Sequence, residues 1–177
     1  MLFLIVSCIV LQKGYCQVTV TNPYQEISLM KDARIYAEAA MKLDFKVRIN
    51  YTYPKLIDDQ GGRDSVLNFL IKGAKEMKAK GFVFVVENIT LEKPTQEVLI
   101  GGVLCTIIPE DLIFSLNGYR YEESLFIIAL SEDNGGHWTF GDSSDFGRLC
   151  YLLPGLKRLP RPQYTQKELP QLPHKSF

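Results

Sequence analysis

The residue type and position best suited to proton transfer are those of Asp44. It continues by one helical step the apolar face of a predicted helix over residues 24–44, so its carboxylate can point into the protein. Burial there would raise its pKa and suit it to acid–base chemistry. The alternative role is structural, because an aspartate here can cap the next helical turn by accepting a backbone N–H.

Other polar and aromatic residues can complete a site around Asp44. Tyr36 lies on the same predicted helix face, and Tyr51 and Tyr53 can donate phenolic hydroxyls to a ligand oxygen. The same tyrosine pair is also typical of an amphipathic wall or a core. Glu87 follows an apolar strand pattern, where it is either a second inward carboxylate or a charge at the strand end.

The sharpest local motif is Ser131-x-Asp133-x-Gly135-x-x-Trp138, which matches the Asp-box of sialidases and related propellers. Serine and aspartate side chains can hold the backbone of a hairpin turn, glycine supplies a positive φ, and tryptophan packs across the hairpin. The motif occurs once here, so we predict a hairpin-stabilising role without catalysis. His137 should face the opposite side of its strand from Trp138, either as a general base or as a surface residue.

Several other chemistries are not indicated. The sequence has no GxGxxG, Walker A, GxSxG or HExxH motif and no CxxC pair, so we expect no cofactor and no metal site. With 20 basic and 20 acidic residues, the chain has no basic field for nucleic acid.

The first eleven residues are almost wholly apolar, which is too short for a membrane span but typical of a signal peptide. We predict cleavage before Gln17 and an exported protein, although no basic residue precedes Lys13. Two alternatives are a lipid anchor on Cys8 and a buried N-terminal strand. Once residues 1–16 are removed, Cys105 and Cys150 can form one disulfide or remain two buried thiols.

The elements that must position these residues are helices followed by strands. The pattern predicts helices over 24–44 and 63–80, with a brief helix or turn over 45–53 that Pro54 ends. Short turns, one of them at Pro109-Glu110-Asp111, predict an antiparallel meander. The predicted strands are 82–90, 97–108, 112–119, 121–131 and 137–141.

Two segments suggest further contacts. Neither face of the strand over 125–130 is polar, so we expect helices to cover one face and a second subunit to cover the other. Residues 154–177 contain five of the nine prolines. This tail is predicted to be extended, lying on the domain or hanging free, and it can also serve as a proline-rich ligand.

The chain contains Asp44, then Tyr51-Thr52-Tyr53-Pro54-Lys55, Gly61-Gly62, the stretch from Ser131 to Phe140, and Leu152-Leu153-Pro154. In these residues and in the order of its elements it resembles the NTF2-like superfamily, and most closely its uncharacterised exported bacterial members. The resemblance implies an α+β cone with helices packed on a strongly curved antiparallel sheet of about five strands. The open end of such a cone often holds a small-molecule pocket, and members commonly form homodimers through the sheet.

We therefore predict an exported domain over 17–153 that binds a small apolar or amphipathic ligand in the cone without catalysis. One alternative is a cofactor-independent isomerase or dehydratase that uses Asp44 with Tyr51 or Tyr53. Another is a dimeric interaction module that acts through the outer face of the sheet. The predicted ligand-binding residues are Tyr36, Asp44, Tyr51, Tyr53, Glu87 and Trp138, and the best catalytic candidates are Asp44 and His137.

Overall fold

A computed structural model describes residues 23–171 of the chain. The predicted signal peptide over 1–16, with Cys8, lies outside these residues, as does the end of the proline-rich tail over 172–177. Across the described range, no helix is both long enough and apolar enough to cross a membrane.

Within the described residues, four helices precede the sheet, and they confirm the α+β class. The two predicted long helices and the brief one between them are present. A short helix over Pro54–Asp59 was not predicted, because Pro54 was expected to end a helix. Pro54 instead occupies the first helical turn, where its missing N–H has no intrahelical acceptor to lose. The helices are α1 (Pro23–Met41), α2 (Phe45–Tyr51), α3 (Pro54–Asp59) and α4 (Arg63–Ala79).

The sheet has six strands, all paired antiparallel. Two long strands, β3 and β4, form its centre and are joined by a two-residue turn at Asn117-Gly118. Both turn residues have positive φ, 51° and 87°, as a type I′ hairpin requires. On the outer side of β3 lie β1 and β2, and on the outer side of β4 lie β5 and β6. The strands are β1 (Phe84–Leu91), β2 (Val98–Ile100), β3 (Val103–Leu116), β4 (Tyr119–Ser131), β5 (Thr139–Asp142) and β6 (Thr165–Leu169).

The predicted turn at Pro109–Asp111 is wrong, because β3 runs straight through it. Pro109 is tolerated since its backbone faces the β1 side, where its carbonyl accepts the N–H of Glu92 at 3.0 Å. The proline ring therefore removes no donor from the pairing of β3 with β4. The result is one continuous strand that places Glu110 in the middle of the sheet.

The first face of the sheet is covered by α1. Leu29, Ala33, Tyr36 and Ala37 are all buried there, in one cluster with apolar residues of β3, β4 and β5. Their helical spacing agrees with the amphipathic pattern of the sequence. This packing fixes α1, and with it Tyr36, against the sheet.

The second face is covered by the C-terminal part of the same chain, not by a second subunit as predicted. A fifth helix, α5 (Phe146–Leu152), is followed by a 3₁₀ segment over Pro154–Arg158. Leu149 and Leu156 are fully buried against Ile107, Ile128 and Leu130 in this second core cluster. The apolar part of β4 is thus enclosed within one chain, and the homodimer stays a prediction.

The same cluster contains both described cysteines and the start of the tail. Cys105 and Cys150 are free and buried, as the buried-thiol alternative predicts. Leu159 is also buried, and β6 pairs with the first half of β4. The tail therefore lies on the domain as far as Gln171, and part of it is helical rather than extended.

Candidate functional site

A pocket of about 320 Å³ lies between α1, α2 and the first face of the sheet. One end is polar, formed by Tyr36, Arg48, Glu110 and Asp142 with two serines of the segment after β5. The other walls are apolar. They are Ala37, Ala40, Met41, Phe84, Leu112, Leu125 and Ile127.

Arg48 joins the helices to the end of β5. It projects from α2, and its guanidinium forms an ion pair with Asp142. The same guanidinium carbon lies 5.3 Å from the centre of the Tyr36 ring, a cation–π distance. A parallel bridge between Thr52 and Phe140 fixes the C-terminal end of α2 to β5, which holds Arg48 near its partner.

Asp142 uses its two carboxylate oxygens differently. Its Oδ1 accepts the backbone N–H of Ser144 at 3.0 Å and caps a 3₁₀ turn over Ser143–Asp145. Its Oδ2 accepts from Arg48. Because one oxygen is held by the backbone and the other by a cation, Asp142 is fixed in position and its charge is balanced.

Glu110 is the buried carboxyl group of the pocket. Its residue is only 8% exposed, and on the sheet it lies directly opposite Leu125 of β4. Burial, together with the negative charge of Asp142 and against the opposing effect of Arg48, raises the pKa of Glu110 to about 7. Near neutral pH, Glu110 can therefore either donate or accept a proton.

Tyr36 supplies a protonated hydroxyl to the same pocket. Its ring is buried and stacks on Phe140, with the ring centres 5.3 Å apart. Burial raises the pKa of the Tyr36 phenol, so the group remains a hydrogen-bond donor at physiological pH.

A second carboxyl group next to the pocket is also perturbed. Burial, with a smaller contribution from the charge of Asp142, raises the pKa of Asp145 to about 6. Its Oδ2 accepts the N–H of Asp142 at 3.4 Å, which completes the capping box of the 3₁₀ turn. Asp145 is not among the pocket-lining residues, so it acts on the site through Asp142.

Asp44 does not point into the protein, which corrects the inward placement predicted from the helical face. It is exposed and is the N-cap of α2, where its Oδ1 accepts the N–H of Val47 at 3.2 Å. The helical face ends before it, because α1 stops at Met41 and Leu43 has a positive φ of 54°. Asp44 therefore has the helix-capping role that was the alternative to an inward carboxylate.

Four other predicted ligand-binding residues lie outside the pocket. Tyr53 is buried in the second core cluster and donates its hydroxyl to Glu132, while Tyr51 is partly buried against the first cluster. Trp138 is buried in that first cluster, and its Nε1 has no hydrogen-bond partner among residues 23–171. Glu87 is exposed on β1 and forms an ion pair with Arg120 at 2.7 Å.

The hairpin at Ser131–Trp138 has the geometry that its motif predicts. The Ser131 hydroxyl accepts the N–H of Gly135 and donates to Asp133, both at 2.8 Å. Asp133 also accepts the backbone N–H of His137 at 2.8 Å and contacts the His137 ring at 2.6 Å. The His137 side chain is 92% exposed, so it is a surface residue bound to the turn.

The sequence analysis missed Arg48, Glu110 and Asp142, and of the predicted residues only Tyr36 lines the pocket. A signal for Glu110 was present, because it interrupts an apolar alternation through Ile108, Leu112 and Phe114. A carboxyl group in the middle of an apolar strand face indicates a buried acid. For Arg48 and Asp142 we find no comparable local signal.

Within residues 23–171, no group of three or more histidine, cysteine, aspartate or glutamate side chains is arranged to hold a metal ion. No protein family, curated protein or solved structure matches this chain. The resemblance to the NTF2-like superfamily therefore stays a prediction, and the pocket itself is the feature that bears on function.

Proposed function

We propose that this protein binds a small amphipathic molecule in the pocket between α1, α2 and the sheet. The observation that carries the proposal is the pairing of an apolar cavity of about 320 Å³ with a buried polar end. Known ligand pockets span about 300–1,000 Å³ and combine apolar walls with a few polar groups that orient the ligand.

The polar end favours a ligand with a neutral oxygen over one with a charged group at that position. The cation of Arg48 is already paired with Asp142, whereas Tyr36 and protonated Glu110 are donors. A carbonyl or hydroxyl oxygen can accept from those donors without displacing the ion pair. An anion would have to compete with Asp142 and would face Glu110.

Binding can be tested with Prodan, a neutral naphthalene ketone whose fluorescence shifts to the blue when water is excluded. We expect a saturable blue shift with the wild-type protein. Ala40→Trp, which fills the pocket from α1, should weaken Prodan binding at least tenfold. Ala79→Trp, at the exposed end of α4, is the matched control and should leave binding unchanged.

The outcome that would overturn the proposal is equally direct. If Prodan shows no saturable shift, or if Ala40→Trp and Ala79→Trp bind it equally well, the pocket is not a ligand site of this class. Circular dichroism of each variant would establish that it is folded before binding is compared.

A second candidate function, acid–base catalysis, is favoured by the pKa of Glu110. A carboxyl group that titrates near pH 7 is suited to remove a proton from carbon next to a carbonyl. Tyr36 and Arg48 line the same pocket and can stabilise the negative charge that develops on the carbonyl oxygen. This version of the predicted enzyme uses Glu110 in place of Asp44.

The catalytic candidate can be tested by hydrogen–deuterium exchange at the α-carbons of cyclohexanone in heavy water. Catalysis requires exchange well above the buffer rate that rises with pH through about 7 and is abolished by Glu110→Gln. Prodan binding should survive that substitution. Exchange no faster with the wild type than with Glu110→Gln would leave binding as the function.

A further inference from the structure

A second cavity adjoins the pocket on the outer edge of β4. It is an open groove of about 1,000 Å³ between β4, the start of α5 and the tail over 157–164. Leu125, Ser143 and Ser144 line both the groove and the pocket. Because the two cavities share these lining residues, they adjoin each other at the edge of the sheet.

A gap in the sheet accounts for this junction. On the outer edge of β4, β6 pairs with Arg120–Ser124 and β5 pairs with Ile127–Leu130. Leu125 and Phe126 lie between these partners and have no strand beside them on that edge. The chain leaves β5 at this point through Ser143 and Ser144, so the sheet is open where the two cavities meet.

The groove differs from the pocket in charge. It has an apolar floor that includes Leu125, Phe126 and Phe146, and it is lined by two cations, Lys157 and Arg161. The Arg161 guanidinium carbon lies 4.4 Å from the centre of the Phe146 ring. Within residues 23–171, neither cation forms an ion pair.

The acidic residue of the groove forms no ion pair with either cation in the described part of the chain. Glu123 is hydrogen-bonded to the hydroxyl of Tyr164, which closes the β6 end of the groove. With two cations and one carboxylate in its lining, the groove keeps a net positive charge that can attract an anion from solvent. In the pocket, by contrast, the cation Arg48 already has its carboxylate.

We propose that the two cavities form one elongated site for a single-chain amphipathic anion, a proposal that rests on the ligand-binding function above. The anionic group lies between Lys157 and Arg161, the apolar chain passes over Leu125, and the far end enters the pocket. A straight-chain carboxylate has the chemistry that this arrangement recognises. The unpaired cations bind one end of the ligand, and the apolar walls of the pocket take up the other.

The test uses decanoate, with decan-1-ol as its uncharged counterpart, in calorimetric titrations and in competition with Prodan. We expect decanoate to bind at least tenfold more tightly than decan-1-ol at low ionic strength. Decanoate should also displace Prodan, because its apolar end occupies the pocket. Added salt should weaken decanoate binding and leave decan-1-ol binding nearly unchanged.

Charge variants separate the groove from general electrostatic attraction. Lys157→Gln combined with Arg161→Gln should reduce decanoate affinity at least tenfold and leave Prodan affinity unchanged. The matched control is Arg158→Gln combined with Lys80→Gln, which removes the same charge from two exposed positions outside the groove. That control should bind decanoate like the wild type.

The outcomes distinguish this inference from the proposed function. If Prodan binds but decanoate does not displace it, or if both double variants bind decanoate equally, the elongated site is wrong and the pocket remains a ligand site. If Prodan does not bind at all, the proposed function fails and the elongated site fails with it.

Discussion

The hairpin at Ser131–Trp138 and the polar end of the pocket both bring polar side chains together, but in opposite ways. In the hairpin, Ser131, Asp133 and His137 come from one short stretch and bind one another and the turn backbone. In the pocket, Arg48 and Glu110 come from elements far apart in the sequence and face a cavity. Locally paired groups build structure, whereas groups assembled around a cavity retain the capacity to bind a ligand.

The two acids at the centre of these regions show the difference directly. Hydrogen bonds from the backbone and ring of His137 and from Ser131 hold the pKa of Asp133 well below its usual range. Burial instead raises the pKa of Glu110. The hairpin stabilises the ionised form of Asp133, whereas the pocket favours a protonated Glu110 that can exchange its proton near neutral pH.

The largest expected effect is a dependence of stability on pH that comes from Glu110. Its pKa is about 7 when folded and near the usual 4.5 when unfolded, so the folded state binds the proton more tightly. Stability from this group is fully present below pH 4.5 and is lost as the pH rises to about 7. The difference is about 3 kcal/mol.

Glu110→Gln removes this titration, so the comparison is between wild type and variant. Denaturant unfolding should show that the wild type loses about 3 kcal/mol of unfolding free energy between pH 4 and pH 8, relative to Glu110→Gln. Glu168→Gln on the exposed strand β6 is the matched control, with a much smaller change expected. If the difference in unfolding free energy between the wild type and Glu110→Gln did not change with pH, the pKa of Glu110 would not be raised in the folded protein.

A smaller effect is expected when the hairpin network is broken by Ser131→Ala. The residue is 1% exposed, and its loss leaves the buried N–H of Gly135 without an acceptor. An unsatisfied buried donor costs about 2 kcal/mol in unfolding free energy. Prodan binding should not change, and a loss of binding would contradict the separation of hairpin and pocket.

Ser115→Ala is the control for that measurement. Ser115 is partly buried on β3, and its hydroxyl makes no hydrogen bond within the described part of the chain. Its replacement should change the free energy of unfolding much less than Ser131→Ala does.

The smallest effect is expected for Asp44→Ala, which removes an N-cap. The loss of this cap should cost about 1 kcal/mol in unfolding free energy. Prodan binding and any α-proton exchange should remain at wild-type levels, with Asp58→Ala on α3 as the control. A large loss of Prodan binding would show that Asp44 belongs to the ligand site.

Sequence reasoning was strongest where a few neighbouring residues decide the structure. The Ser131 and Asp133 contacts and the long helices all follow from local patterns. It was weakest where partners are distant. The pairing of Arg48 with Asp142 cannot be predicted without knowing how α2 lies on β5. Pro109 led to a predicted turn in place of a strand, because only the topology shows which way its backbone faces.

The tail illustrates the same limit. Its prolines indicated an extended segment, but Leu156 and Leu159 are spaced to pack against the second face of the sheet. The prediction was based on the proline content of the tail, whereas its burial depends on Leu156 and Leu159.

The covering of that face by the C-terminal part of the chain has a consequence for synthesis on the ribosome. The central hairpin β3–β4 emerges before Phe146, Leu149, Leu156 and Leu159, which cover it. Until those residues leave the exit tunnel, Ile107, Ile128 and Leu130 can pack only on the earlier members of their cluster, such as Tyr53 and Leu56, and the rest of this face stays uncovered. A nascent chain that stalls before residue 146 would therefore present an apolar sheet face to chaperones or to other nascent chains.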